Sequence, residues 1–195
     1  MKYGVMFKAF GFFLNRFSLD QLSKQQVKQV AEKYKEIVLN AKDIGQSNNL
    51  VSSYALGCYF IALNRVSGLS PDECYEIIAH GMKTSKAFKT FMGSADAYFS
   101  EKKMEHRRKW AAQTHKHQYE NDWVVDVLEK SDDYEFGFNY HECGVCKLFK
   151  DEGCFELAKY LCRLDFLIVE IMGIHLERTM TIADGDPYCD FRFKK

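Results

Sequence analysis

Cysteines are concentrated in the last third of this chain, where five of the seven lie after residue 142. Cys143 and Cys146 form a C-x-x-C motif in HECGVCKLF, at the predicted start of a helix. The N–H groups and dipole of a helix N-terminus stabilise a thiolate, which makes Cys143 a candidate nucleophile. The same motif is also typical of a zinc ligand pair or a redox dithiol, and free thiols often simply fill a core. The motif alone leaves these alternatives open.

Acidic residues accompany two of the other cysteines. Cys162 precedes Asp165 by three residues, so both lie on one face of a predicted helix. Cys189 directly precedes Asp190. The candidate catalytic residues are therefore Cys143, Cys189, Asp165 and Asp190. We expect no cofactor; if a metal ion is bound instead, its expected ligands are Cys143, Cys146, Cys162 and Cys189.

An arginine interrupts an apolar strand face in the segment LERTMTIA. Strict alternation places Arg178 on the same face as Leu176, Met180 and Ile182. A buried arginine must pair with an acid, here Asp165 or Asp190, or point into a cavity that holds an anion. In the second case Arg178 would bind a substrate carboxylate through two parallel hydrogen bonds. Thr179 and Thr181 lie on the opposite face and are either ordinary strand residues or further substrate contacts.

Apolar residues recur with the helical period of 3.6 in the N-terminal half, and after residue 120 the strand period of 2 appears. Helices are predicted over the aromatic first 17 residues, over 18–41, 48–66 and 70–88, and over 95–115. After residue 120, DWVVDVLEK and YEFGFNY predict strands. Short helices over 142–151 and 155–166 follow, and then a strand pair, LERTMTIA and YCDFRF, joined by the turn DGDP.

The predicted fold class is α+β, with a helical N-terminal half followed by a small, mainly antiparallel sheet and two short helices packed on it. We expect a helical region at 1–120 and an α+β lobe at 121–195, folded as one compact unit.

Composition excludes some functions. Lys plus Arg and Asp plus Glu number 27 each, and the resulting net charge of zero argues against nucleic acid binding. The one basic cluster, at 101–110, contains two glutamates and is typical of a solvated helix face. The apolar run at 50–66 is shorter than a membrane span, and no leader pattern is visible. An odd number of cysteines without such a leader predicts a cytoplasmic protein with free thiols. The aromatic first helix makes a homodimer possible.

Three segments together resemble the L-2-amino-thiazoline-4-carboxylic acid hydrolase family. They are HECGVCKLFKDEG, ELAKYLCRLD and LERTMTIADGDPYCDFRF, within about residues 134 to 193. The family pattern falls on Cys143, Asp165, Arg178, Thr179, Gly185, Cys189, Asp190 and Phe191. The C-x-x-C motif and Cys162 resemble a subset of the family.

The resemblance implies a hydrolase acting on the carbon–nitrogen bonds of a cyclic amidine, a five-membered thiazoline ring that bears a carboxylate, on a route towards cysteine. In our hypothesis for the mechanism, Arg178 binds the carboxylate of the ring. Cys143 or Cys189 attacks the amidine carbon or activates a water, and Asp165 or Asp190 protonates a ring nitrogen. The alternative is a metal-binding or redox-sensing small-ligand module without catalysis.

Overall fold

The computed structural model, which describes residues 3–45 and 48–195, has the expected α+β architecture. Helices form the N-terminal half, and a four-stranded antiparallel sheet with two further helices forms the rest. The first three helices are α1 Val5–Asn15, α2 Lys24–Asn40 and α3 Val51–Ser67.

Helix α3 is the central element of the helical half. Its side chains are apolar nearly all round, and Tyr54, Tyr59 and Phe60 are fully buried. It packs against α1 and α2 on one side and against the C-terminal lobe on the other. Gly68 ends the helix in the left-handed conformation, as glycine commonly does.

Two predicted helices are each divided in the structure. The four elements are α4 Pro71–Thr84, α5 Lys86–Met92, α6 Ala95–Tyr98 and α7 Glu101–Thr114. The expected capping box at Ser70 opens α4. Ser85 then interrupts the helix predicted to reach residue 88, because its side chain accepts a hydrogen bond from the Phe88 N–H and starts α5. Likewise, the single helix predicted over 95–115 is broken between α6 and α7.

The basic cluster at 101–110 is only partly solvated. Arg108 and Lys109 form exposed ion pairs, as expected of a surface helix. Arg107 is buried instead, with its guanidinium 4.2 Å from the ring centre of Tyr98 and 4.3 Å from that of Phe136. It fixes helix α7 against the sheet through cation–π contacts.

The sheet has the strand order β1-β2-β4-β3, and every neighbouring pair is antiparallel. The strands are β1 Val124–Leu128, β2 Phe136–Glu142, β3 His175–Glu177 and β4 Cys189–Lys194. Phe136 and Phe138 point into the core from alternate positions of β2, as the period of 2 predicted.

The predicted strand pair around DGDP is shorter than expected. Strand β3 ends at Glu177, so Arg178 lies just beyond it, and residues 178–188 form a connection that contains a short 3-10 helix, Ile182–Asp184. The two helices of the lobe are α8 Gly144–Asp151 and α9 Ala158–Ile171.

One hydrophobic core runs through both halves of the chain. Tyr59 and Phe60 of α3 belong to the same buried cluster as Phe149 of α8 and Leu164 of α9. Within the described residues, no helix combines the length and the apolar character that crossing a bilayer requires.

Candidate active site

Cys143 lies where strand β2 turns into helix α8, at the position that caps the helix. The turn is tight: a Cβ added to the next residue, Gly144, would lie 2.3 Å from the backbone oxygen of Asn121 and 2.8 Å from the Trp123 ring. Glycine is therefore required for the helix to begin so close to the segment before β1. This close packing fixes the Cys143 side chain at the first turn of α8.

The electrostatic environment favours the thiolate at Cys143. The pKa of Cys143 is lowered, first by the neighbouring Cys146 thiol and then, against the opposing effect of burial, by the N–H groups of Cys146 and Val145. The pKa of Cys146 is raised, first by the hydrogen bond that its thiol makes with Cys143, then by burial and by the negative charge of Cys143. The C-x-x-C motif thus contains one activated and one suppressed thiol.

Arg178 forms the expected pair with Asp165. Arg178 Nη1 donates to Asp165 Oδ2 over 2.7 Å, and Nη2 donates to the backbone oxygen of Cys162 over 3.1 Å. The Arg178 side chain is only 6% exposed, and its guanidinium also lies 4.8 Å from the ring centre of Phe166 and 5.0 Å from that of Phe191. These contacts tie the segment after β3 to helix α9.

Burial raises the pKa of Asp165 to about 6, although Arg178 acts in the opposite direction. The Asp165 side chain retains 38% exposure because it faces a cavity. A carboxyl group with this pKa exchanges protons near neutral pH, as a general acid or base must.

A cavity of about 120 Å³ brings the candidate residues together. It lies between α3, the start of α8, α9 and strand β4. Its polar lining is formed by Ser53, Tyr140, Cys143, Cys162, Asp165, Arg178 and Cys189, and its apolar lining includes Leu50, Leu56, Trp123, Leu161, Ile168 and Phe191. Arg178 thus pairs with Asp165 and also lines the cavity. Binding of a substrate carboxylate by Arg178 stays a prediction.

Cys189 faces the cavity but has the opposite character to Cys143. Its Sγ accepts a hydrogen bond from the Ile182 N–H over 3.2 Å. Burial raises the pKa of Cys189 to about 11. Burial likewise raises the pKa of Cys162 well above its ordinary value. Of the three cysteines in the lining, Cys143 is the one disposed to ionise.

Asp190, Thr179 and Thr181 are not part of the cavity lining. Asp190 accepts hydrogen bonds from the Thr179 N–H and hydroxyl and from the Met180 N–H, at 2.6–2.9 Å. Burial raises the pKa of Asp190, but these donors outweigh it and leave the pKa below its ordinary value. The buried Thr181 hydroxyl donates to Asp184 over 2.6 Å. These contacts hold the connection between β3 and β4.

The alternation of β4 explains the different positions of Cys189 and Asp190. In the register of the sheet, Cys189 is opposite Tyr140 and Asp190 is opposite Asn139. Neighbouring residues of a strand point to opposite faces, so only one of the two can face the cavity.

The four cysteines named as possible metal ligands do not form a preformed site. Over residues 3–45 and 48–195, no three His, Cys, Asp or Glu side chains are grouped so that they could hold a metal ion. All seven cysteines are free thiols in the structure.

Sequence reasoning missed three members of the lining: the polar residues Tyr140 and Ser53, and the aromatic residue Trp123. The hydroxyl groups of Tyr140 and Ser53 make no hydrogen bond within the described part of the chain and face a cavity where a ligand can reach them. Alternation predicts Tyr140 as one of four aromatic residues on one face of a strand. Its position three residues before Cys143 is the signal that could have placed it at the site.

Comparison with models of protein families identifies a family for this chain. The model of a family described as L-2-amino-thiazoline-4-carboxylic acid hydrolase matches residues 48–193. Neither curated proteins nor solved structures gave a match.

Proposed function

Because the chain belongs to the L-2-amino-thiazoline-4-carboxylic acid hydrolase family, we propose that its cavity opens the ring of a cyclic amidine that bears a carboxylate. The observation that carries this proposal is the shared position of Cys143, Asp165 and Arg178 around one cavity. A nucleophile, a proton donor and a cation for the substrate carboxylate are the three groups this reaction needs.

Arg178 has donors to spare for a ligand. A guanidinium carries five N–H groups, and the pair with Asp165 and the bond to the Cys162 carbonyl use two of them. The remaining donors can bind a carboxylate without breaking the contacts that fix the side chain. Since these contacts already immobilise Arg178, little further conformational entropy is lost on binding.

Cys143 is the nucleophile in this proposal. Its thiolate forms a bond to the amidine carbon, while the C=N electron pair moves to the ring nitrogen, which takes a proton from Asp165. The exocyclic amino group then forms a C=N bond with the same carbon and passes a proton to the ring nitrogen, so the ring carbon–nitrogen bond breaks and the nitrogen leaves as an amine. Water loses a proton to Asp165 and adds to this carbon. The hydroxyl proton passes to the exocyclic nitrogen as the C=O bond forms and the Cys143 thiolate leaves. Asp165 ends in its starting protonation state after the adduct collapses.

Turnover of 2-amino-thiazoline-4-carboxylate tests the proposal. Loss of the substrate and the mass of the product would be followed for the wild type, Cys143→Ser and Cys189→Ser. We expect Cys143→Ser to lower kcat by at least about 100-fold and Cys189→Ser to retain most of the activity. Full turnover by Cys143→Ser would exclude it as the nucleophile, and release of a thiol instead of an amine would show that the ring carbon–sulfur bond opens.

A second candidate function rests on the opposed thiols of the C-x-x-C motif. A thiolate at Cys143 beside a protonated Cys146 is also the arrangement of a redox dithiol. In this case a peroxide oxidises Cys143 to a sulfenic acid, and the Cys146 thiol displaces water to form a disulfide. Mass spectrometry after peroxide treatment would show loss of two hydrogen atoms from this pair, and the reduced protein would show no turnover of the amidine.

A further inference from the structure

An apolar groove adjoins the cavity, and its size exceeds that of the cavity itself. It has a volume of about 390 Å³ and lies between α1, α3, α4, α5 and α9. Its walls include Phe10, Phe13, Met82 and Phe88. Among the residues that the structure describes, no charged side chain belongs to its lining.

The groove and the cavity meet at a common wall. Ser53, Leu56 and Ile168 line both spaces. On one side of this wall lie Arg178 and Cys143, and on the other lie aromatic and aliphatic side chains. A molecule with a charged end and an apolar end would match the two spaces in that order.

We propose that the substrate is amphipathic, with a carboxylate-bearing head in the cavity and an aliphatic chain extending past Ser53 into the groove. This inference rests on the proposed function, since it assigns the head to the same cavity. A thiazoline carboxylate alone would leave the groove empty, and an apolar surface of this extent is unfavourable in water.

The dimensions support a chain of moderate length. An apolar cavity of roughly 150 Å³ holds a benzene molecule, so the volume of the groove allows a chain of about ten carbons. The groove is also open, because Met6 and Phe91 in its walls are 52% and 58% exposed. Longer chains can therefore continue into solvent.

Helix α1, which forms one wall of the groove, lies outside the residues that match the family. The cavity residues lie within the matched part of the chain. The residues proposed to bind and open the head of the substrate thus lie in the part of the chain that matches the family. Part of the groove proposed to bind the aliphatic chain comes from helix α1, before the matched residues.

Calorimetric titration with butanoate, hexanoate, octanoate and decanoate tests the inference. Each CH₂ buried in the groove should strengthen binding by up to about fourfold, and decanoate should bind at least tenfold more tightly than butanoate. Decanol, which lacks the carboxylate, should bind more weakly than decanoate. Equal affinities across the acid series would overturn the inference.

Two tryptophan substitutions locate the bound chain. Ala9 is an exposed residue of the groove wall, and Ala9→Trp should remove the dependence of affinity on chain length. Ala112 is exposed on helix α7 and lines neither space, so Ala112→Trp should behave as the wild type. An unchanged acid series in Ala9→Trp would overturn the assignment to this groove. A dimer that Ala9→Trp dissociates would assign the groove to a second copy of the chain.

Protection of Cys143 shows whether the head reaches the cavity. Decanoate should slow the alkylation of Cys143 by iodoacetamide, and decanoate that binds without slowing it would overturn the connection between the two spaces. The calorimetric titrations with the acid series do not depend on the reactivity of any cysteine. An unreactive Cys143 combined with chain-length-dependent binding would therefore contradict the proposed function and leave the groove assignment standing.

Discussion

Arg178 Nη1 lies 2.7 Å from Asp165 Oδ2, which joins the residue just after β3 to the middle of helix α9. The arginine is almost fully buried, whereas the acid faces the cavity. This pair therefore holds the lobe together and also places charged groups in the wall of the cavity. Substitution of either residue should change the stability of the protein.

Replacing Arg178 should destabilise the protein. Arg178→Ala leaves Asp165 without its charged partner and the Cys162 carbonyl without its donor, and we expect a loss of about 1–3 kcal/mol in the free energy of unfolding. Urea denaturation would measure it. Arg163→Ala is the matched control, because Arg163 pairs with Asp72 at the surface and should lose less than about 1 kcal/mol. Equal losses in both variants would contradict the role of the buried pair.

Asp165 should impose a pH dependence on stability between about pH 4 and 6. Its pKa in the folded protein is about 6, above the ordinary value of 3.8, so the folded state binds the proton more tightly than the unfolded state. Stability from this group is therefore present below pH 4 and is lost as the pH rises through 6. Because the side chain is partly exposed, we expect a change of about 1–2 kcal/mol.

Comparison with Asp165→Asn across pH 3.5–7 isolates this contribution. As the pH rises, the free energy of unfolding of the wild type should fall relative to that of Asp165→Asn. A constant difference over this range would show that the pKa of Asp165 is not raised.

Cys143 should be the fastest-reacting thiol. Its lowered pKa makes more thiolate available at pH 7.5, whereas Cys189 and Cys162 remain protonated. Iodoacetamide labelling followed by peptide mass spectrometry should modify Cys143 at least about tenfold faster than Cys189. Cys143→Ser should remove the fast phase and Cys189→Ser should keep it. A fast phase that persists in Cys143→Ser would identify a different reactive thiol.

Gly144 should tolerate no side chain. In Gly144→Ala the new Cβ would approach the Asn121 backbone oxygen and the Trp123 ring, and neither can move without displacing the segment before β1. We expect a loss of about 2 kcal/mol or more in the free energy of unfolding and slower alkylation of Cys143. Gly137→Ala is a control for the sheet, since its Cβ would meet the Phe191 backbone oxygen at 2.7 Å without touching the start of α8. It should affect stability while the alkylation rate changes less.

Asp190 should contribute to structure more than to chemistry. Asp190→Ala removes the acceptor of three hydrogen bonds from Thr179 and Met180, so we expect a loss of about 1–3 kcal/mol in the free energy of unfolding. Alkylation of Cys143 at a temperature where the variant is folded should proceed at the wild-type rate. A large drop in that rate would instead place Asp190 in the reactive site.

Much of the architecture could be predicted because it depends on local patterns. The alternating aromatics of β2 and the capping box at Ser70 require only neighbouring residues to be interpreted. The break at Ser85 was missed because a side-chain cap interrupts the helix there. The break between α6 and α7 was missed because it falls beside a highly charged segment that has no strong apolar period. The burial of Arg107 was missed because its aromatic partners Tyr98 and Phe136 come from two other elements.

The sequence by itself determined the fold class, the family and the position of Cys143 at a helix start, because periodicity, motif and capping are properties of contiguous residues. Only the tertiary structure decided which candidates share a cavity. Strand register placed Cys189 on the cavity face and Asp190 on the other, and burial raised the pKa of Cys189, whereas hydrogen bonds lowered the pKa of Cys143 in spite of burial. Arg178 pairs with Asp165 because helix α9 packs beside β3. This is a contact between elements that the sequence alone does not bring together.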